Sequence, residues 1–253
     1  MNRNMRIYLI AIITIAVVLL PLQHWSDVVA LGRDDLVGLV SLVGLAILSE
    51  TLSVRAMVGT YQMVTSIAFI PYFAAVMLFP PAAAVAAVVA TSLITQMVVH
   101  KRPPLRGLFN ASQSTIALMV AALIFHSVGG PEGSNLRMSL VPAVMLLARV
   151  TALSVTFFFV NQILVGVAIA LNTGTRFRTT FSRIVAPSGA NLLYDVLVSP
   201  IAIVVAVLYS SFGSGGLVIG VLPMLIIRHS VQSTVKLQQA NKDLLSVLVK
   251  TIE

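Results

Sequence analysis

The chain has 253 residues, of which 58% are hydrophobic and 9% charged, whereas a soluble domain carries about a quarter charged residues, so the composition excludes an ordinary globular protein. It has no cysteine, which excludes disulfides, thiolate metal sites and thiol nucleophiles. The formal charge of +8 would point to nucleic acid in a soluble protein, but in a polytopic one it fits cytoplasmic loops, and no nucleic-acid partner is expected.

Apolar segments run over 7–22, 36–52, 57–79, 82–99, 108–128, 140–171, 185–209 and 212–227. A span needs roughly 20 apolar residues, because backbone polar groups in lipid must be satisfied within the segment. The pattern predicts an all-α, polytopic membrane helix bundle of about eight transmembrane helices over residues 1–228. An amphipathic helix over 229–253 follows it. The first segment follows Arg3 and Arg6, as a signal peptide would, but Val28-Val29-Ala30 is a poor cleavage site and a retained helix is expected. The stretch 140–171 is too long for one upright span; it reads as a tilted helix or as an interfacial piece followed by a span. Ala82, Ala86 and Ala90 put small residues on one face of the fourth segment, which allows close helix approach.

With the N-terminus in the cytoplasm, alternating spans place Arg3, Arg6, Arg55, Lys101, Arg102, Arg106, Arg176, Arg178, Arg183, Arg228, Lys236, Lys242 and Lys250 inside. Only Arg33 and Arg137 fall outside, beside Asp27, Asp34, Asp35 and Glu132, and Arg149 falls within a span. Basic residues concentrate on the cytoplasmic side of membrane proteins, so both termini are expected there and the lipid bilayer is the first partner.

Polar residues within spans carry whatever chemistry there is. Asn110 and Gln113 open the fifth segment, Asn161 and Gln162 lie in the sixth, and Asn191 and Asp195 share one face of the seventh. Glu50 closes the second segment. The amides read as interhelical hydrogen-bond glue, worth roughly 0.6 kcal/mol each. A lone carboxylate such as Asp195 needs a partner or a proton, and Arg149 is one candidate partner. Glu50 either joins this set or reaches the interface beside Arg55. Together these residues are candidates for ligand binding or coupling. The histidines are scattered, with no metal-ligand spacing, and no HExxH, P-loop or GxSxG appears, so no catalytic residue, metal or cofactor is expected.

From 228 onward the chain becomes a polar helix without Gly or Pro. Val231, Thr234, Gln238, Asn241, Leu245, Leu248 and Ile252 follow alternating steps of three and four, a heptad seam. A parallel homodimer would use that seam, with Asn241 setting register; packing on the chain's own bundle or on an adjoining domain is the alternative.

The short basic loop followed by FNASQ (109–113), the span with Asn161 leading into Leu164-Val165, and the terminal NKDLLSVLVKTIE (241–253) resemble the amino-terminal membrane region of bacterial HD-GYP cyclic-di-GMP phosphodiesterases. Related regions also precede GGDEF cyclases. The resemblance implies a multi-pass protein of the bacterial inner membrane whose last helix leads into a catalytic domain. The family's HD metal pair and GYP motif are absent from this chain, so it is expected to hydrolyse nothing itself. The expected function is a sensory input module that responds to an unidentified small ligand or membrane state. A small-solute transporter or substrate-binding membrane subunit using the same polar residues is the alternative, and a structural docking subunit a third.

Overall fold

A computed structural model describes residues 3–51, 54–58, 61–65, 67–129 and 140–252; backbone alone is described at 54–58, 61–65, 140–142, 183–192, 194, 227, 231, 235, 238, 239, 242, 243 and 245–252. The chain is overwhelmingly helical. Helix α1 (Arg3–Leu19) ends in a 3-10 turn at Leu20–Leu22, and α2 (Trp25–Val29) leads to α3 (Arg33–Thr51). After α4 (Phe69–Leu78) and α5 (Pro81–Leu93), a π-helical segment runs over Ile94–Val99. There follow α6 (Pro104–Ser127), α7 (Leu140–Thr173), α8 (Phe177–Val198), α9 (Ile201–Phe212) and α10 (Ser214–Ile252).

Six helical stretches among the described residues are long and apolar enough to cross a membrane. They are Arg3–Leu22, Pro81–Val99, Pro104–Ser127, Ala143–Thr173, Asp195–Phe212 and Ser214–Thr234. This corrects the expectation of about eight at two places. Helix α3 has the length, but Asp34, Asp35 and Glu50 bracket its apolar stretch. The segment 57–79 is not one helix: Val54–Val58 (β1) pairs antiparallel with Tyr61–Thr65 (β2), and α4 begins only at Phe69. Val54, Val58, Tyr61, Val64 and Thr65 are residue types that favour strands, and Gly59-Thr60 in the sequence between them is a pair that two-residue hairpins favour. Apolarity alone did not distinguish that pattern from a span.

Helix α4 is the centre of the molecule, and all ten of its residues are buried. At about 1.5 Å per residue it covers about half the bilayer core. It stops because Phe79 precedes Pro80, and a residue before proline is driven out of the helical region; Phe79 is extended, and Pro81 then starts α5 in the position proline suits best. In lipid, helices associate by close packing rather than by apolar burial. Here that packing is made by the small residues Ala83, Ala84 and Ala87 of α5 and by edge-to-face rings. Phe69 meets Phe158 at 5.1 Å and Phe73 meets Phe157 at 5.4 Å.

Two further expectations are resolved. Residues 140–171 lie in a single helix, α7, which at about 1.5 Å per residue is about 50 Å long and exceeds a bilayer core of about 30 Å. The seventh segment, 185–209, is broken at Ser199-Pro200, because proline lacks the N–H that would continue the α8 ladder.

The ends of the bundle differ in charge. Tyr8 near the start of α1 packs on Phe109 near the start of α6 and donates a hydrogen bond to the Leu164 carbonyl in α7 at 2.9 Å. Those contacts gather Arg3, Arg6, Lys101, Arg102, Arg106, Arg176 and Arg178 at one end, all exposed. At the other, the Tyr209 hydroxyl at the end of α9 donates to the Asp34 carbonyl at the start of α3 at 3.4 Å, beside Asp35. The side chains of Arg55, Glu132, Arg137, Arg183, Lys242 and Lys250 lie outside the described residues.

Candidate functional site

The polar residues expected from the sequence are distributed over three places rather than one. The first lies where α1, α6 and α7 meet. Gln113 is buried on α6, and its Nε2 donates to Asn161 Oδ1 on α7. Its Oε1 is buried without a partner. One turn nearer the basic end, Asn110 Nδ2 donates to Gln96 Oε1 at 3.0 Å, joining α6 to the π-helical segment. Gln96 was not among the expected residues, because it stands alone in an apolar run; its position fourteen residues before Asn110, across a tight Pro-Pro turn, was the available signal. Gln162 is half-buried and, being adjacent to Asn161, points about 100° away from the amide pair.

The second place is Asp195. It lies one turn before the α8–α9 break, and its Oδ1 is buried without a hydrogen-bond partner. Ser199 at the break is held by its N–H on the Asp195 carbonyl at 3.0 Å and by its hydroxyl on the Val196 carbonyl at 2.7 Å. Arg149 is not its ion-pair partner: one guanidinium nitrogen lies 3.4 Å from where a Cβ on Gly129 would sit, just past the end of α6. Nor does Asp195 join the amides. Asp195 is eighteen residues from Phe177, about 27 Å along α8, whereas Asn161 is twelve residues from Thr173, about 18 Å along α7. The side chain of Asn191 lies outside the described residues.

The third place centres on Glu50. The Tyr72 hydroxyl on α4 is within electrostatic reach of Glu50 and faces Ser92 and Thr91 on α5. Tyr72, Thr91 and Ser92 were missed from sequence because hydroxyl residues in spans commonly bond their own backbone and so give little signal.

The expected signalling residues lie on α10, which runs without interruption through Pro223. Asn241 and Thr234 are exposed, as are Leu237 and Leu244, seven residues apart. The side chains of Leu245, Leu248 and Ile252 lie outside the described residues. Among the described residues no group of three His, Asp or Glu side chains could hold a metal.

No curated protein and no solved structure matches the chain. One family model does, over residues 31–235, from just before α3 into α10, and so over far more than half of the chain. An apolar helical bundle with polar residues within it, ending in a long projecting helix, therefore belongs to MASE9, a family of membrane-associated sensor domains.

Proposed function

We propose that the chain is the input module of a bacterial signalling protein, in which the bundle senses and α10 transmits. The observation that carries this is the continuity of α10. Its apolar part, Ser214–Thr234, is long enough to cross the membrane, and the same helix continues to Ile252. At about 1.5 Å per residue the last eighteen residues project about 27 Å beyond that part. A change in the packing of the bundle thus moves the linker helix, 229–252, as one rod. The charged end containing Arg3, Lys101 and Arg176 supports a bundle of the inner membrane with cytoplasmic termini, by the positive-inside rule. The exposed Thr234, Leu237, Asn241 and Leu244 support a homodimer through that rod. The resemblance of 241–253 to the lead-in helix of HD-GYP proteins supports a cyclic-di-GMP phosphodiesterase as the output domain.

Asp195, next to the α8–α9 break, is the residue proposed to couple ligand or membrane state to α9 and α10. A ligand shifts such an equilibrium only by its differential affinity for the two states. In a protein carrying the output domain, Asp195→Asn is expected to shift the output between conditions; unchanged output in every condition removes Asp195 from the mechanism. Deleting residues 229–252 is expected to abolish regulation. A transporter would instead retain uptake after that deletion.

A further inference from the structure

We infer that the seam between α1 and α6 at the basic end is a headgroup site for an anionic phospholipid. Tyr8 and Phe109 meet across the seam with ring centroids 6.0 Å apart, and the Tyr8 hydroxyl donates to the Leu164 carbonyl of α7. Around them Leu9, Ile12, Ile116 and Ala168 make a small core separate from the main one, and Met5 and Leu105 pack on its edge. Arg6 follows Met5 and Arg106 follows Leu105, so two exposed guanidiniums stand on neighbouring helices at the rim of one apolar cluster. The turn into α6 fixes Arg102 beside them. Its N–H donates to the Gln96 carbonyl at 3.0 Å, the His100 N–H donates to the Thr95 carbonyl at 2.8 Å, and Pro103-Pro104 stiffens the other side. Lys101 in that turn has φ +47°, a conformation that glycine or asparagine adopts at less cost.

The chemistry of the seam selects its ligand. Arg3, Arg6, Lys101, Arg102 and Arg106 are exposed, and neither α1 nor α6 has an acidic residue in its first turn. Among the described residues only Glu50, half-buried at the end of α3, brings a carboxylate toward this end. The balance of charge is therefore met by anions from outside. Four of the five cations are arginines, whose planar fork pairs two phosphate oxygens at once. The apolar surface beneath them makes the anion a lipid: Ile7 and Ile10 on α1 are 57% and 47% exposed, and Leu108 on α6 is 38% exposed. A phospholipid lays its acyl chains on that surface and its phosphate on the guanidiniums, whereas a free phosphate uses the guanidiniums alone. Basic pockets between transmembrane helices on the cytoplasmic side bind such headgroups. A charge bias that only orients the chain needs basic residues at this end, but not on two helices over a shared apolar cluster. Helix α1 also precedes residues 31–235, so half of this site lies outside the stretch that matches the family.

Binding is read on this chain alone and does not depend on the proposed output. The full chain is placed in phosphatidylcholine nanodiscs with phosphatidylglycerol or cardiolipin added at constant ionic strength, and its heat-unfolding midpoint is followed against the anionic fraction. The midpoint is expected to rise and saturate, by about 3–6 °C once the lipid is tenfold above half-saturation. Arg6→Gln with Arg106→Gln is expected to remove most of that rise. The control removes two charges from the same end but beyond α7: Arg176 and Arg178 flank Phe177, whose ring lies 3.3 Å from where a Cβ on Gly166 would sit. Gly166 is two residues past Leu164, and so about 200° around α7 from the residue that Tyr8 reaches. Arg176→Gln with Arg178→Gln is expected to keep the rise. If the first pair does not fold, Arg6→Lys with Arg106→Lys, which keeps the charge and loses the fork, decides; it is expected to raise the half-saturating fraction by about three- to tenfold. Midpoints that ignore lipid charge overturn the site. So does an equal loss in both glutamine pairs, which would make this a diffuse surface charge, or an unchanged half-saturation in the lysine pair. An equal rise on adding inorganic phosphate or pyrophosphate to pure phosphatidylcholine discs also overturns it, by making this a site for soluble anions.

Discussion

Two adjacent glycines at the start of α10 offer a matched pair of perturbations. Gly213, at φ +59°, turns the chain tightly from α9 into α10, which then packs back on α9. A Cβ on Gly216 would overlap the Leu208 carbonyl of α9 and would lie 3.1 Å from the Tyr209 nitrogen. A Cβ on Gly215 would meet nothing within 4 Å. The three nearest obstacles to Gly216→Ala are backbone atoms, so no rotamer change relieves them and the two helices must separate. Overpacking of this kind costs about 1–3 kcal/mol, whereas Gly215→Ala removes a glycine from a helix and should gain up to about 1 kcal/mol. For a chain of this size each kcal/mol moves the midpoint by about 2–4 °C, so Gly216→Ala should lower it by about 2–12 °C and Gly215→Ala should leave it level or raise it slightly. The assay is heat unfolding of both variants in the same detergent and lipid. Equal midpoints would refute the close α9–α10 approach, and with it the rigid connection proposed to drive α10.

Three further outcomes follow from the same geometry. A double-mutant cycle with Gln113→Leu and Asn161→Leu should show a coupling of about 0.6–1.7 kcal/mol, while pairing Gln113→Leu with Gln162→Leu should show about none. Tyr8→Phe, which keeps the packing on Phe109 but loses the bond to Leu164, should destabilise the chain by about 1 kcal/mol in chemical denaturation. Because the chain has no cysteine, Ser26→Cys at the acidic end and Thr175→Cys at the basic end can be probed singly in intact cells; an impermeant thiol reagent should label the first only, and labelling of Thr175→Cys would reverse the orientation.

The long helices were legible because their apolar runs are bounded by Pro-Pro turns and basic loops, as α6 is by KRPP before Leu105. The short central α4 was not. Its apolar sequence is continuous with that of the preceding strands, and only the β-branched pattern of 54–65 separates them. The Ser199-Pro200 break was visible as a proline, but lipid-embedded helices tolerate proline, and α10 does run straight through Pro223. Among the polar residues, Gln113 and Asn161 stood out because amides are uncommon in spans, and they do meet. Which residue would meet Arg149 or Asp195 depended on helix neighbours that no local pattern encodes.

The central claim, that the state of the bundle is read out through α10 as a rigid helix, is tested most directly by changing the phase of that helix. In a protein carrying an output domain, two residues inserted after Ala240 rotate everything beyond by about 200°, whereas seven residues restore the facing to within about 20°. Output activity measured in membranes should be lost or locked by the two-residue insertion and return close to normal with the seven-residue insertion. Equal activity and equal regulation in both would contradict transmission through α10.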